Sequence, residues 1–275
     1  MSYAAILVHV QTDDVGRARL RTAVALAQTF DAALIGLGVE MVPPLSFDNG
    51  YVAVDAEWYV ALSKSIEDGL TAARTLFEAE TAGLAKGGVW LSGMDYPGPA
   101  LVRTSRGADL IVANAASRGQ PSAYRDAPAG DLAITAGRPV LVAPPGAAPL
   151  KAERVILAWK DSREARRAMA DALPFLKGAK AALVLEVCAP DEVEDAKARV
   201  ADVAELLRRH GVAAEVRVSD RHATHTEAIL AEARAFRADL IAAGAYGHSR
   251  FGEWVFGGVT RDLIAQHEVH VLLSH

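Results

Sequence analysis

The feature that most limits the folds open to this chain is an internal repeat, because its two halves run through the same order of segments. Ala4-Ala5-Ile6-Leu7-Val8-His9-Val10 opens the first half and Arg154-Val155-Ile156-Leu157-Ala158-Trp159 the second, each a strand-like apolar run followed by polar residues. A helix-period stretch comes next in both. Arg17 to Thr29 places Ala18, Ala23, Leu26 and Ala27 on one face, and Arg163 to Leu176 does the same with Ala165, Ala168, Met169, Ala172 and Leu173. Asp13 or Thr12 suits the N-cap of the first helix, and Asp161 or Ser162 that of the second, since a short polar side chain can accept from a free backbone N–H there.

The second strands, Ala32 to Val39 and Ala181 to Val187, are too apolar to be half-exposed and read as buried parallel strands. Each half continues with a charged amphipathic helix (61–86 and 191–210), a third strand (89–92 and 214–218) and a further helix (99–106 and 226–236). The closest repetition follows. Arg106-Gly107-Ala108-Asp109-Leu110-Ile111-Val112-Ala113 parallels Arg237-Ala238-Asp239-Leu240-Ile241-Ala242-Ala243, and Pro139 to Ala143 parallels Val269 to Leu273. Strands alternating with helices imply right-handed crossovers and a parallel sheet covered on both faces. The expected fold class is therefore α/β: two repeated five-stranded parallel-sheet sandwiches, Rossmann-like, with strand order 3-2-1-4-5. Pro and Gly crowd together at 144–149, so the expected domains are 1–146 and 152–275. An extra segment at 41–59 reads as a loop or lid over one end of the first sheet.

Composition narrows the class. With 275 residues, 51% of them hydrophobic, the chain can bury one large or two ordinary cores rather than stay disordered. A lone cysteine, Cys188, can make no internal bridge, which fits a reducing compartment, and the N-terminus has no export-signal pattern. The expected location is the cytoplasm. Charges interrupt every candidate membrane helix, and a net charge of −5 with scattered Lys and Arg gives no broad nucleic-acid surface.

In an open parallel sheet, ligands bind at the carboxyl ends of the strands where strand order reverses. For the order 3-2-1-4-5 that point lies between the first and fourth strands of each half. In the second half it brings Ala158, Lys160 and Asp161 together with the stretch after Ala243, which is rich in glycine. Gly244 and Gly247 let the backbone turn sharply and approach a ligand, and Gly257-Gly258 precede a helix from about Val259 whose free N–H groups attract phosphate.

On these residues the chain resembles a tandem universal stress protein, two such domains fused head to tail. The family's nucleotide pattern is Gly, two residues, Gly, nine residues, Gly, then Ser or Thr, and Gly244, Gly247 and Gly257 stand at that spacing. Position 258 departs, being Gly, so the phosphate-binding hydroxyl is missing, although Thr260 lies nearby. Lys160 stands where nucleotide-binding members often carry an acidic residue, either as a phosphate-pairing cation or as a block to that contact. The resemblance implies an adenine nucleotide α-hydrolase-like fold and binding of ATP or a related adenine nucleotide, with Mg²⁺ as a companion ion, in the second domain. Amides of Gly244, Gly247, Gly257 and Gly258 would cradle the phosphates, with Val259 and Thr260 opening the binding helix and His248 and Arg250 beside them. Ala158 and Val187 would line the base pocket. The last strands of the two domains would pair into a pseudo-dimer, with a homodimer as a further assembly. In the first half the loop begins Asn114-Ala115-Ala116-Ser117 and neither motif glycine is present, so that site reads as lost and the half as structural or regulatory.

Other readings compete with this one. His222, His225, His248, His267, His270 and His275 lack the carboxylate or cysteine cluster that would complete a ligand set, so no metal centre is expected. Trp159, Trp254 and Phe256 could flank an adenine, but aromatics beside a sheet edge more often pack a core or an interface. No P-loop, dinucleotide fingerprint or nucleophile elbow is present, which predicts slow or absent turnover and no catalytic residue. The alternatives are a module for an unknown protein partner that has lost nucleotide binding in both halves, supported by Gly258 and Lys160, and an adenylating enzyme of the wider α/β group.

Overall fold

The computed structural model describes residues 2–43, 56–115, 122–220, 224–247 and 258–275. The first half contains β1 (Ala5–His9), α1 (Asp14–Phe30), β2 (Ala33–Glu40), α2 (Ala56–Thr81), β3 (Gly88–Met94), α3 (Pro97–Thr104), β4 (Leu110–Asn114), α4 (Ala129–Thr135) and β5 (Val140–Ala143). The second half repeats the series as β6 (Arg154–Trp159), α5 (Arg163–Gly178), β7 (Ala181–Val187), α6 (Val193–Arg209), β8 (Ala214–Ser219), α7 (His225–Phe236), β9 (Leu240–Gly244), α8 (Gly258–Ala265) and β10 (His270–Ser274).

All ten strands form one sheet in the order β3-β2-β1-β4-β5-β10-β9-β6-β7-β8. Each half thus has the order 3-2-1-4-5 and parallel neighbours throughout. The halves meet at β5 and β10, the one antiparallel pair among the described residues, with Val142 opposite Val271 and Val140 opposite Leu273. One face of the sheet is covered by α1, α2, α5 and α6 and the other by α3, α4, α7 and α8. Both apolar layers run without a break across the junction, which Tyr3 and Phe30 close against Phe175 with ring centroids 5.1 to 5.4 Å apart. The Tyr3 hydroxyl donates across it to the Asp171 carbonyl at 2.5 Å.

Local chemistry explains the main boundaries. Asp13 caps α1 by accepting from Gly16 N–H at 2.7 Å, and Ser162 caps α5 by accepting from Ala165 N–H at 3.2 Å. Helix α2 starts and ends about five residues earlier than the spacing predicts, so the end of the segment expected as a loop or lid (41–59) is helical, while 44–55 lie outside the described residues. Thr81 bonds back to the Phe77 carbonyl, and Gly83 and Gly87, the latter at φ +67°, follow at once. The repeated Ala-Asp ahead of the fourth strands also has a role. The Asp109 carboxylate accepts from the N–H groups of Ala4 and Ala5, and that of Asp239 from Glu153 and Arg154, tying the start of each fourth strand to the first.

Candidate functional site

A cavity of about 500 Å³ opens at the carboxyl ends of β6, β7 and β9, where strand order reverses in the second half. Its apolar wall comes from Ala158, Leu185, Val187 and Ile229. The N-termini of three helices border it: Ser162 and Ala165 of α5, Thr224 to Thr226 at α7, and Gly258 to Thr260 of α8. Aligned peptide dipoles leave positive potential at such ends, so the rim suits an anion while the wall suits a flat apolar ring.

Glycine is required at one place on this rim. A Cβ at Gly244 would lie 2.7 Å from the Ala165 nitrogen and 2.7 Å from the Glu164 carbonyl carbon, so only glycine lets β9 approach the first turn of α5. Gly247 is close to the Glu164 carboxylate, a Cβ there meeting Oε2 at 3.0 Å. Burial works to raise the Glu164 pKa, but its own backbone N–H, the Ser162 hydroxyl and Arg163 outweigh it and hold the group below the usual carboxylate range. Position 258 is different, because a Cβ there meets open space. The Thr260 hydroxyl oxygen accepts from Tyr246 N–H at 3.1 Å, which leaves its proton available to a ligand.

Eight of the twelve residues expected from the sequence border this cavity: Ala158, Lys160, Val187, Gly244, Gly247, Gly258, Val259 and Thr260. Asp161 is not among the lining residues and pairs instead with Arg166 on the exposed side of α5. His248, Arg250 and Gly257 lie outside the described residues, as do Trp254, Phe256 and His222. Sequence reasoning missed the α7 contribution of Thr224, Thr226 and Ile229. The Thr224-x-x-Glu227 capping box was legible as a helix start, with Glu227 N–H bonding Thr224 Oγ1 at 3.2 Å, but nothing local said that this start faces the other two. Cys188 is buried, and burial together with the nearby Glu186 carboxylate pushes its thiol up, away from the thiolate. Among the described residues no group of three or more His, Cys, Asp or Glu side chains is arranged to hold a metal ion. No helix among them is long and apolar enough to cross a membrane.

The matching place in the first half holds a smaller cavity of about 310 Å³ between the halves, bordered by His9, Gln11, Arg19, Asn114 and Gly130 and, from the second half, Tyr246 and Arg261. Strand register makes the comparison residue by residue. Ile6 pairs with Leu110 as Val155 pairs with Leu240, so His9 stands where the second half has Ala158, and Arg19 where it has Ala168. The same logic sets Val39 against Val187 and Asn114 against Gly244. His9 directs Nε2 to the Val39 carbonyl at 3.0 Å, and Arg19 donates to the His9 carbonyl at 2.7 Å and to Gln11 Oε1 at 2.9 Å. Complete burial brings the His9 pKa down to about 3, so the ring is neutral and Nε2–H is the donor. The space that Ala158 leaves open is narrowed here by the protein's own side chains.

Residues 151–275 match the family model for the universal stress protein family. A universal stress protein from Archaeoglobus fulgidus DSM 4304 superposes with a TM-score of 0.72 at 17% identity, covering 98% of this chain and 95% of that one. A functionally unknown protein from Pseudomonas aeruginosa PAO1 superposes with a TM-score of 0.59 at 15% identity, over 99% of this chain and 92% of that one. Comparison with curated protein sequences returns no match. At these identities the structural likeness speaks to the fold, and it spans both halves.

Proposed function

For a chain whose second half belongs to the universal stress protein family and whose two halves together take that family's tandem fold, we propose regulation through adenine nucleotide binding in the second half. The observation that carries this reading is the 500 Å³ cavity in which Gly244 and Gly247 meet three helix N-termini. In this reading the base packs on Ala158 and Val187, the phosphates lie toward Gly244, Gly247 and Gly258, and Thr260 donates its hydroxyl proton. Lys160 borders the same space and supplies a positive charge that an anionic ligand favours. When Mg²⁺ accompanies the nucleotide it neutralises phosphate charge. No residue of the cavity is assigned to activating water, and the expected turnover is slow or nil.

The first half serves as a structural or regulatory counterpart, with domains at 1–146 and 152–275. The test is binding of a fluorescent ATP analogue to nucleotide-stripped protein and to Gly247→Val. The reading expects saturable binding to the first and at least about tenfold weaker binding to the second. Equal binding by both would remove the glycine turn from the site. A second reading, a partner-binding module without nucleotide, is favoured by the missing hydroxyl at Gly258 and gains if neither protein binds the analogue.

A further inference from the structure

One residue borders both cavities. Tyr246 follows the Gly244 turn of the second-half site, and its side chain reaches α4 of the first half. Its backbone is left-handed at φ +56°, a conformation a bulky side chain adopts only when its surroundings impose it. Two contacts impose it here. Its N–H donates to Thr260 Oγ1 at 3.1 Å in the first turn of α8, and its ring packs over Gly130, where any Cβ would overlap the tyrosine hydroxyl. Gly130 borders the cavity between the halves and is not part of the second-half cavity.

We propose that Tyr246 is a positioning residue that couples the two cavities: the Gly244–Gly247 turn holds its ligand-receiving shape only while the Tyr246 ring is docked on Gly130 of the other half. This rests on the nucleotide reading for the identity of the ligand, but not for the coupling. The docked ring is one wall of the smaller cavity and the attached turn is one wall of the larger, so whatever shifts the ring shifts both. By reciprocity, a nucleotide that tightens the turn also fixes the packing of α4 against α8. The second-half site thereby reports to the junction between the halves through the Tyr246 side chain, alongside α8, which also borders both cavities.

Gly130→Ala tests this from outside the second-half cavity. Alanine favours a helix, so the substitution does not endanger folding, yet its methyl displaces the Tyr246 hydroxyl. Two quantities are read: amide exchange across 244–247 without ligand, and ATP affinity by titration. Exchange rises and ATP binds about tenfold more weakly in Gly130→Ala, a change within the range for residues in direct contact. Adding Tyr246→Phe, which removes the hydroxyl, returns both to within about twofold of Tyr246→Phe alone. The coupling is overturned if neither quantity moves, or if both move equally with and without the hydroxyl. If no variant binds ATP while exchange still follows the hydroxyl, the nucleotide reading fails and the coupling stands.

Discussion

The two halves share a strand order and differ in what occupies the crevice at their switch points. In the first half His9 and Arg19 spend their polar groups on the protein itself, on the Val39 and His9 carbonyls and on Gln11. In the second half the same two positions are alanines, Ala158 and Ala168, and a larger cavity remains. The lesson is that a repeated fold keeps its backbone crevice while a few side chains, at the end of its first strand and on the helix that follows, set how wide that crevice is. A narrowed crevice contributes to the stability of its half through its own hydrogen bonds, whereas a wider one leaves room.

That contrast can be broken at several points. The largest effect is expected from Arg19→Ala, which leaves the buried His9 carbonyl without its donor and opens a void, destabilising the chain by about 3 kcal/mol in urea denaturation. An unchanged midpoint would mean that the hydrogen bonds of the first crevice do not stabilise its half. Next comes Gly244→Ala. Its methyl must displace the first turn of α5, at about 2 kcal/mol, while Asn114→Ala at the matching place costs about 1 kcal/mol or less. Equal losses would show that the two crevices are packed alike.

The pH dependence is smaller and has a definite sign. Burial brings His9 to about 3 and His270 to about 4, both below the unfolded value near 6.5. Between these limits the unfolded chain takes up protons that the native chain does not, so stability is present above about pH 6.5 and drains away as pH falls toward 4. If the native ring stays neutral, the stability advantage of the wild type over His9→Gln narrows by about 1 kcal/mol between pH 7 and pH 5.5. A gap that does not change would mean that His9 is not held neutral. The smallest expected effect is from Gly258→Ser, which enters open space and restores a hydroxyl at the helix start, tightening nucleotide binding about threefold. Weaker binding would argue that phosphate does not approach that position.

Much of the fold was legible because it rests on local patterns. The apolar strands, the caps and the repeated Ala-Asp all lie within short windows, and the repeat allowed one half to check the other. Sequence alone left the caps open between Asp13 and Thr12, and between Asp161 and Ser162, since each side chain has the right chemistry. Backbone geometry settles them as Asp13 and Ser162. The glycines of the second-half site were legible through their spacing. His9 and Arg19 were not, because their role appears only when strand register sets them against Ala158 and Ala168. Tyr246 was hidden for a different reason, since its partner Gly130 is 116 positions away and meets it only through the docking of the halves.

Calorimetric titration of ATP, ADP and AMP, with Mg²⁺, into nucleotide-stripped protein tests the central claim most directly, since it counts sites as well as weighing them. A wider second crevice and a first one narrowed by its own His9 and Arg19 predict saturable adenine nucleotide binding at one site per chain. Two sites per chain would contradict a first crevice too narrow to bind, and no binding of any of the three would contradict the nucleotide site itself.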